Sequence, residues 1–366
     1  MQCKEINWDN INSEFFCKKN IIYGAGYNGK LLYGIFKEKL IPIEAFYDDD
    51  STRWGEYFCG KMILSKELLN NYDRTDTNII IASMYVGQII AQIQGLGFLN
   101  IYSTIEKLLE KDTEDFKFYN YQNRQDYLND LDKLIDVSED DKTKQYFLTI
   151  KKTVLKGKAI KDIINVCCDE KQYFLNCFKG KLNGINLLDA GAYTGDTVRE
   201  ILRDIQGGGI EKVYSFEADS HNYEKLQRYI AKQGKKYLFS ENYALWDVHT
   251  KLGMKFSNYN ARVDLNSQET VVETITIDEY FKEISLGFIK MDIEGAERRA
   301  LQGGMRTIKR DRPILAISIY HSLDDIVEIP KMLMKELDNY KFIVRHHSYT
   351  YSETVLYAVP SEQDIF

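Results

Sequence analysis

The chain has 366 residues, more than one hydrophobic core usually supports, so two domains are expected. Its 44% hydrophobic and 28% charged residues are those of a soluble globular protein, and a net charge of -7 argues against a nucleic-acid partner, which would need a basic face. No apolar run reaches the roughly 20 residues of a membrane span, and the start MQCKEINWDN lacks the layout of a signal peptide. The six cysteines form no CxxC pair, so free thiols in a reducing cytoplasm are expected, and no metal site.

From Asn20 to Ser103 strand-like and helix-like runs alternate. IIYGAG, IEAFYDDD and NIIIAS read as strands, and Asn28–Leu40 and VGQIIAQIQGLG as helices. Together they predict a small, open, parallel sheet of four or five strands. The turn after the first strand matches G-x-G-x-x-G at Gly24, Gly26 and Gly29, and Asp48 comes about twenty residues later. That is formally a dinucleotide fingerprint, so a nicotinamide-dependent oxidoreductase is one reading. Against it, the sheet is small and the rest of the chain shows no hydride-acceptor domain.

Between Ile105 and Gly184 the charged stretches EKLLEKDTEDF, QDYLNDLDKLIDVSEDDKTKQYFLTIKKTVLKG and DEKQYFLNCF are helical in pattern. Anchors such as Tyr146, Phe147, Leu148 and Ile150 mark this as a helical connector packed on the second domain, rather than a disordered linker. From Ile185 onward INLLDAG, KVYSFEAD, KYLFSENYAL, GFIKMDIEG, RPILAISIY, YKFIVRHHS and TVLYAVP read as seven strands, the last two as an antiparallel hairpin at a sheet edge. A helix, IPKMLMKELDNY, precedes that hairpin.

A second glycine turn, LLDAGAYTGD, opens this half. Gly191 and Gly195 let a ligand approach the backbone, Asp189 orients the loop, and Glu217 ends the next strand where a ribose would lie. Tyr193 stands where a dinucleotide loop would want its second glycine. Its bulk suits a ligand with no pyrophosphate crossing the loop, such as S-adenosylmethionine. Asp292 and Glu294 end another strand, and two carboxylates there are costly if buried unpaired. They would meet a methionine amino group, an acceptor hydroxyl or a metal, or else serve as a helix cap and a solvated acid. Glu297 fits the cap better than Asp292 does. His321 ends the next strand and is either structural or the base that removes an acceptor proton, with Asp292 or Glu294 orienting it or acting directly. Arg345, His346 and His347 either grip an anionic acceptor or form a solvated strand end.

The motifs DAGAYTGDT, YSFEAD, ENYALWD and FIKMDIEGAE, continued by RPILAISIYH, EIP, YKFIVRHHS and ETVLYA, carry a resemblance. Residues from about 140 to 366 resemble the FkbM family of S-adenosylmethionine-dependent methyltransferases. The resemblance implies methyl transfer to an oxygen of a small-molecule or glycan acceptor, such as a sugar or polyketide-type compound. It implies a methionine-side loop of Asp189, Gly191, Ala192, Tyr193, Thr194, Gly195, Asp196 and Thr197, a ribose acid Glu217 beside Ala218, and an adenine border at Asn242 and Ala244, with Asp292 facing the cofactor. YGAG and FYDDD in the first half resemble the nucleotide-sugar-binding N-terminal domains of bacterial sugar acyltransferases, with Gly24, Gly26, Gly29 and Asp48 as the implied nucleotide contacts.

The expected fold is therefore α/β. A smaller N-terminal Rossmann-like domain (1–108) leads into a helical connector (109–180) and a seven-stranded Rossmann-like methyltransferase domain (181–366). The expected function is methylation of a sugar or nucleotide-linked sugar hydroxyl in polysaccharide biosynthesis. The alternatives are a NAD-dependent sugar-nucleotide oxidoreductase, or a non-catalytic nucleotide-sugar-binding or scaffold protein. A first domain that only forms a homodimer is a further reading.

Overall fold

The structure, a computed structural model, describes residues 4–6, 11, 13–83, 86–104, 124–157, 161–178, 180–204, 209–256, 261–263 and 271–363. It divides into two compact units. The first comprises Met1–Asp115, Lys156–Asp169 and Ser348–Tyr351, and the second Phe116–Leu155, Glu170–His347 and Ser352–Phe366. The stretch 109–180 is shared between them, and its opening run EKLLEKDTEDF lies outside the described residues.

In the first unit the central strands are buried on both faces, which is why Ile79, Ile80 and Ile81 read as one continuous apolar run. The sheet runs Lys4–Glu5, Asn100–Ser103, Thr77–Ile81, Lys19–Tyr23, Ala45–Tyr47, Lys61–Leu64, Tyr57–Phe58. It has seven strands where four or five were expected. The additions at its two edges include strands of two residues, too short to show any period. Only the Tyr57–Phe58 and Lys61–Leu64 pair is antiparallel.

The second unit is built on a sheet ordered Leu238–Glu241, Lys212–Phe216, Asn186–Ala190, Phe288–Met291, Ile314–Ser318, Thr354–Pro360, Tyr340–His346. The first five strands are parallel and the last two join antiparallel, as the sequence pattern implied. Chain order reverses between Asn186–Ala190 and Phe288–Met291. A crevice therefore opens at the carboxyl ends of those two strands, where open α/β sheets hold their ligands. Beneath it Phe178, Phe288 and Tyr357 meet edge to face and tilted, each without exposed surface. Such rings stabilise by roughly 1.5–3 kcal/mol apiece on burial.

Three features depart from expectation. KYLFSENYAL is not one strand, because its end, Ala244–Leu245, turns into a separate four-stranded sheet with Val271–Ile275, Lys251–Phe256 and Ala261–Val263. The helix before the hairpin starts earlier, at Leu323, and runs to Glu336 with Pro330 inside it. The helices Arg124–Val137 and Asp141–Lys156 pack on the sheet side of this unit through buried polar contacts. Tyr127 Oη donates to Leu323 O at 2.9 Å, and Val344 N donates to Thr143 Oγ1 at 2.8 Å. Among the described residues no helix is long and apolar enough to cross a membrane.

Candidate functional site

The second glycine turn is held open from both sides. Gly191 N and Ala192 N donate to Phe216 O at 3.0 and 2.9 Å, which bends the chain off the strand. Gly191 has φ 78, and a Cβ there would stand 1.8 Å from Asp292 O, so only glycine fits. Tyr193 also adopts a left-handed φ of 47 and turns its ring to solvent. Glu217 ties the turn to the next strand: Tyr193 N donates to its Oε2 at 2.8 Å and Asp219 N to its Oε1 at 2.9 Å. Burial pushes the Glu217 carboxyl up to about 7, against the lowering effect of those two N–H groups. Each oxygen keeps a second lone pair for a ligand.

Not every expected loop residue can touch a ligand. Asp189, Ala192, Gly195 and Thr197 are buried, whereas Gly191, Tyr193, Thr194 and Asp196 keep accessible surface. Asp189 acts beneath the loop, with Lys290 Nζ 3.0 Å from its Oδ1. The same ammonium donates to Gly191 O at 2.7 Å and to Ala190 O at 3.3 Å and is itself 1% exposed. Burial alone would lower the Lys290 pKa, but Asp189, Asp292 and Asp196 raise it well above the ordinary lysine range. The sequence reading missed Lys290, since a lone lysine in a strand ordinarily marks a solvent-facing position. On the far side Asn242 Nδ2 donates to Glu217 O at 2.8 Å and to Ala218 O at 3.3 Å. A cavity of about 340 Å³ opens there, lined by Ala218, Ser220, Asn242, Lys251, Val272 and Glu273. Ala244 begins the adjoining strand and is half-buried.

Asp292, Glu294 and His321 come together at the two neighbouring strand tips, as their sequence positions implied. His321 Nε2 lies 3.2 Å from Asp292 Oδ1 and 3.7 Å from Glu294 Oε2, while Nδ1 lies 3.1 Å from Glu297 Oε1. Glu297 also accepts the Ile293 N–H at 2.7 Å, which fixes the turn where Glu294 (φ 58) and Gly295 (φ 95) are left-handed. Tyr173 Oη donates to Asp292 Oδ2 at 2.9 Å and Tyr320 Oη to Oδ1 at 3.3 Å. Burial opposes charge on His321, but Glu297 and Asp292 outweigh it and raise its pKa well above the usual value. Burial would likewise raise Asp292, yet His321, Lys290 and Tyr173 hold its carboxyl well below the usual range. Carboxylates on both sides of the imidazole favour its protonated form. One ligand atom each from Asp292, Glu297 and His321 lies within 4.8 Å of the others, so the trio could also hold a cation.

Three further residues of this network went unread in the sequence. Gln172 Nε2 donates to Tyr173 Oη at 3.1 Å and to Glu353 Oε2 at 2.5 Å, so Glu353 joins the Asp292 network. Glu353 sits in the turn between the hairpin strands and Tyr173 in a stretch without regular pattern, where periodicity offers no signal. The basic run is neither a grip nor a solvated end. Arg345 pairs with Asp140 at 2.9 Å, and His346 and His347 are buried against Thr354 and Tyr357.

In the first unit the Gly24–Gly29 turn is also closed on itself. A Cβ at Gly29 would lie 2.0 Å from Gly24 O, whereas Gly26 has open space. Asp48 Oδ2 accepts the Ala25 N–H at 2.8 Å, and Arg53 Nη1 donates to Ala25 O at 2.9 Å.

Residues 189–350 match the methyltransferase FkbM domain family, over the turn, Glu217 and the Asp292–His321 cluster alike. The chain carries an FkbM methyltransferase domain. Residues 16–102 match a second family, C2185-like, N-terminal. A crystal structure of methyltransferase FkbM from Methylobacillus flagellatus KT shares the fold at 20% identity and TM-score 0.54, covering 93% of this chain and 90% of that one. A SAM-dependent methyltransferase from Aquifex aeolicus is 14% identical over 54% of this chain and 96% of that one, at TM-score 0.31. An rRNA methylase from Streptococcus thermophilus is 12% identical over 50% and 90%, at TM-score 0.33. No curated protein matches the chain significantly. The cofactor of the FkbM domain is S-adenosylmethionine, and the residues fit it. Gly191 keeps accessible surface, Glu217 has acceptor lone pairs to spare, and the cavity beside Asn242 is open.

Proposed function

We propose that the FkbM domain methylates a hydroxyl of a sugar or nucleotide-linked sugar, in cytoplasmic assembly of a polysaccharide or related glycan. The observation that carries this reading is the polarity of the acceptor side. Asp292, Glu294 and Glu353 share one hydrogen-bonded or ion-paired cluster with His321, Tyr173 and Tyr320. A polyol offers donors to the lone pairs these carboxylates keep spare, which an apolar acceptor cannot. In this reading the accessible backbone of Gly191–Asp196 holds the methionine moiety, Glu217 the ribose hydroxyls, and Ala218, Asn242 and Ala244 border the adenine. Asp292 and Glu294 place negative charge beside the ammonium and sulfonium groups.

S-adenosylmethionine supplies an already activated methyl group. The protein's tasks are thus to place the acceptor oxygen in line and to remove its proton. The first unit serves in this reading as a recognition module for the nucleotide-linked part of the acceptor, through Gly24, Gly26, Gly29 and Asp48. The test combines S-adenosyl-[methyl-³H]methionine with UDP-glucose, UDP-N-acetylglucosamine, GDP-mannose and free hexoses, and then NMR of any labelled product. A methyl group on a sugar oxygen is expected. A methyl on carbon or nitrogen, or binding of NAD in place of S-adenosylmethionine in calorimetry, ends the reading.

A further inference from the structure

Three carboxylates converge on one imidazole at the carboxyl ends of two neighbouring strands. Asp292 Oδ1 and Glu294 Oε2 lie 3.2 and 3.7 Å from His321 Nε2, and Glu297 Oε1 lies 3.1 Å from Nδ1. The buried ammonium of Lys290 is engaged elsewhere, 3.0 Å from Asp189 Oδ1 and donating to Gly191 O. Carboxylates so placed repel one another unless a cation stands among them. We propose that Asp292, Glu294 and His321 bind a divalent cation, with Glu297 positioning the imidazole from behind.

The ring nitrogens of His321 carry the argument. Its side chain is 7% exposed, and neither Nδ1 nor Nε2 has a hydrogen-bond partner among the described residues. Each nevertheless stands within 3.2 Å of a carboxylate oxygen, so what fails is alignment and not distance. A hydrogen bond needs the N–H to point along the line to the oxygen. Two ligands of one ion point instead at the ion, off that line. At about 2.0–2.2 Å from it and at right angles, they stand roughly 3 Å apart. The Asp292–His321 pair has that separation. Glu297 Oε2 is a further buried oxygen without a hydrogen-bond partner. Polar atoms left this way in an interior are costly, and a cation satisfies them.

One ion can take only one nitrogen of the ring, and exposure decides which. The side chains of Asp292 and Glu294 are 25% and 34% exposed, so the Nε2 side is open to an entering ion. On the Nδ1 side Glu297 is buried, where a carboxylate orients a metal-bound imidazole from its far nitrogen. Ile293 N fixes Glu297 Oε1 at 2.7 Å, and Tyr173 Oη holds the other oxygen of Asp292 at 2.9 Å. An ion at Nε2 takes the place of the second ring proton that the same carboxylates favour. With a neutral imidazole, three carboxylates and one divalent ion still sum to one negative charge, so the sulfonium is not repelled. Two carboxylate oxygens and an imidazole nitrogen suit a first-row ion such as Mn²⁺ and leave coordination positions open toward the crevice. On the hydroxyl reading above, an acceptor oxygen can take one of them and be oriented by it. Ligands drawn from two separate strand tips leave no compact spacing in the chain, which is why composition pointed to no metal site.

The test titrates Mn²⁺ alone into the chelator-treated full chain and reads the free ion by electron paramagnetic resonance. One ion per chain is expected, with spin-echo modulation from an imidazole nitrogen in the bound state. That modulation should vanish in His321→Ala. Glu294→Gln, at the exposed edge where folding is least at risk, should weaken the Kd for Mn²⁺ by at least roughly tenfold. Glu297→Gln should weaken it about 10–100-fold while the nitrogen modulation remains, which separates a positioning residue from a ligand. No binding by the parent at millimolar Mn²⁺, no nitrogen modulation, or a parent-like Kd in His321→Ala or Glu294→Gln overturns the site. The titration needs neither cofactor nor acceptor, so its failure is distinct from any failure of the hydroxyl reading.

Discussion

In both units the acid that ends the second strand binds the loop's own main chain. Asp48 accepts the Ala25 N–H at 2.8 Å and the Asp50 N–H at 3.0 Å, just as Glu217 accepts those of Tyr193 and Asp219. The surroundings differ. Asp48 has a guanidinium near it, Arg53 at 3.7 Å, whereas Glu217 has no ion-pair partner among the described residues and its carboxyl rises to about 7. The neighbouring strand of the first unit ends in Ala82 and Ser83, and that of the second in Asp292 with His321 alongside. A shared turn geometry thus says where a ligand could sit, and the adjoining strand tips say which chemistry is within reach. The regular G-x-G-x-x-G match lies in the unit with the plainer neighbours.

Substitutions in the two units test how deep this difference runs. Gly191→Ala should have the largest effect. Its Cβ would meet Asp292 O at 1.8 Å in a left-handed backbone, so a loss of about 3 kcal/mol or more is expected in urea unfolding. Gly26→Ala, with nothing within 4 Å, should change neither stability nor S-adenosylmethionine affinity measurably. If Gly191→Ala is tolerated as well as Gly26→Ala, the cradle is not as tight as its geometry implies.

Next in size is Lys290→Met, which leaves Asp189 buried without its partner and should cost about 3–5 kcal/mol. Adding Asp189→Asn should restore part of that stability in the same unfolding assay, and a strictly additive double variant would refute the coupling. Glu217→Gln should weaken S-adenosylmethionine binding ten- to hundredfold, about 1.5–3 kcal/mol. Asp48→Asn, its counterpart, should leave that affinity unchanged in calorimetry.

The smallest effect is a pH dependence. Burial raises the Glu217 carboxyl from 4.5 to about 7, so its share of folding stability is complete below about 4.5 and is lost as pH rises through 7. Ribose hydroxyls favour the ionised form, so cofactor affinity should climb through that same window with release of a proton. Calorimetry in buffers of different ionisation enthalpy reads the proton directly, and a flat response would remove Glu217 from the ribose site.

Much of this was legible because burial leaves periodic traces. Val213–Phe216 and Phe288–Met291 are mostly apolar runs, broken only by Ser215 and Lys290 and closed by acids, which announces both strand and crevice. What stayed hidden obeys no local rule. Lys290 is buried only because Asp189 lies across from it in register, and no sequence window contains both. Glu353 depends on a hairpin turn and on Gln172, 181 positions away. The four-stranded sheet from Ala244 to Ile275 uses short strands whose pairing partners fix them more than composition does. The helix expected to begin at Ile329 starts six residues earlier and carries Pro330 inside it.

The contact between Gly191 and Asp292 O has a bearing on how this domain could diversify. The glycine turn and the strand that ends at Asp292 are registered by main chain against main chain, with no side chain between them to mutate. Replacing side chains at the neighbouring strand tips, such as Glu294 or Tyr320, would therefore change the lining of the crevice without shifting this main-chain contact. The lining of the crevice can drift in evolution, or be redesigned, while the turn stays under its own constraint.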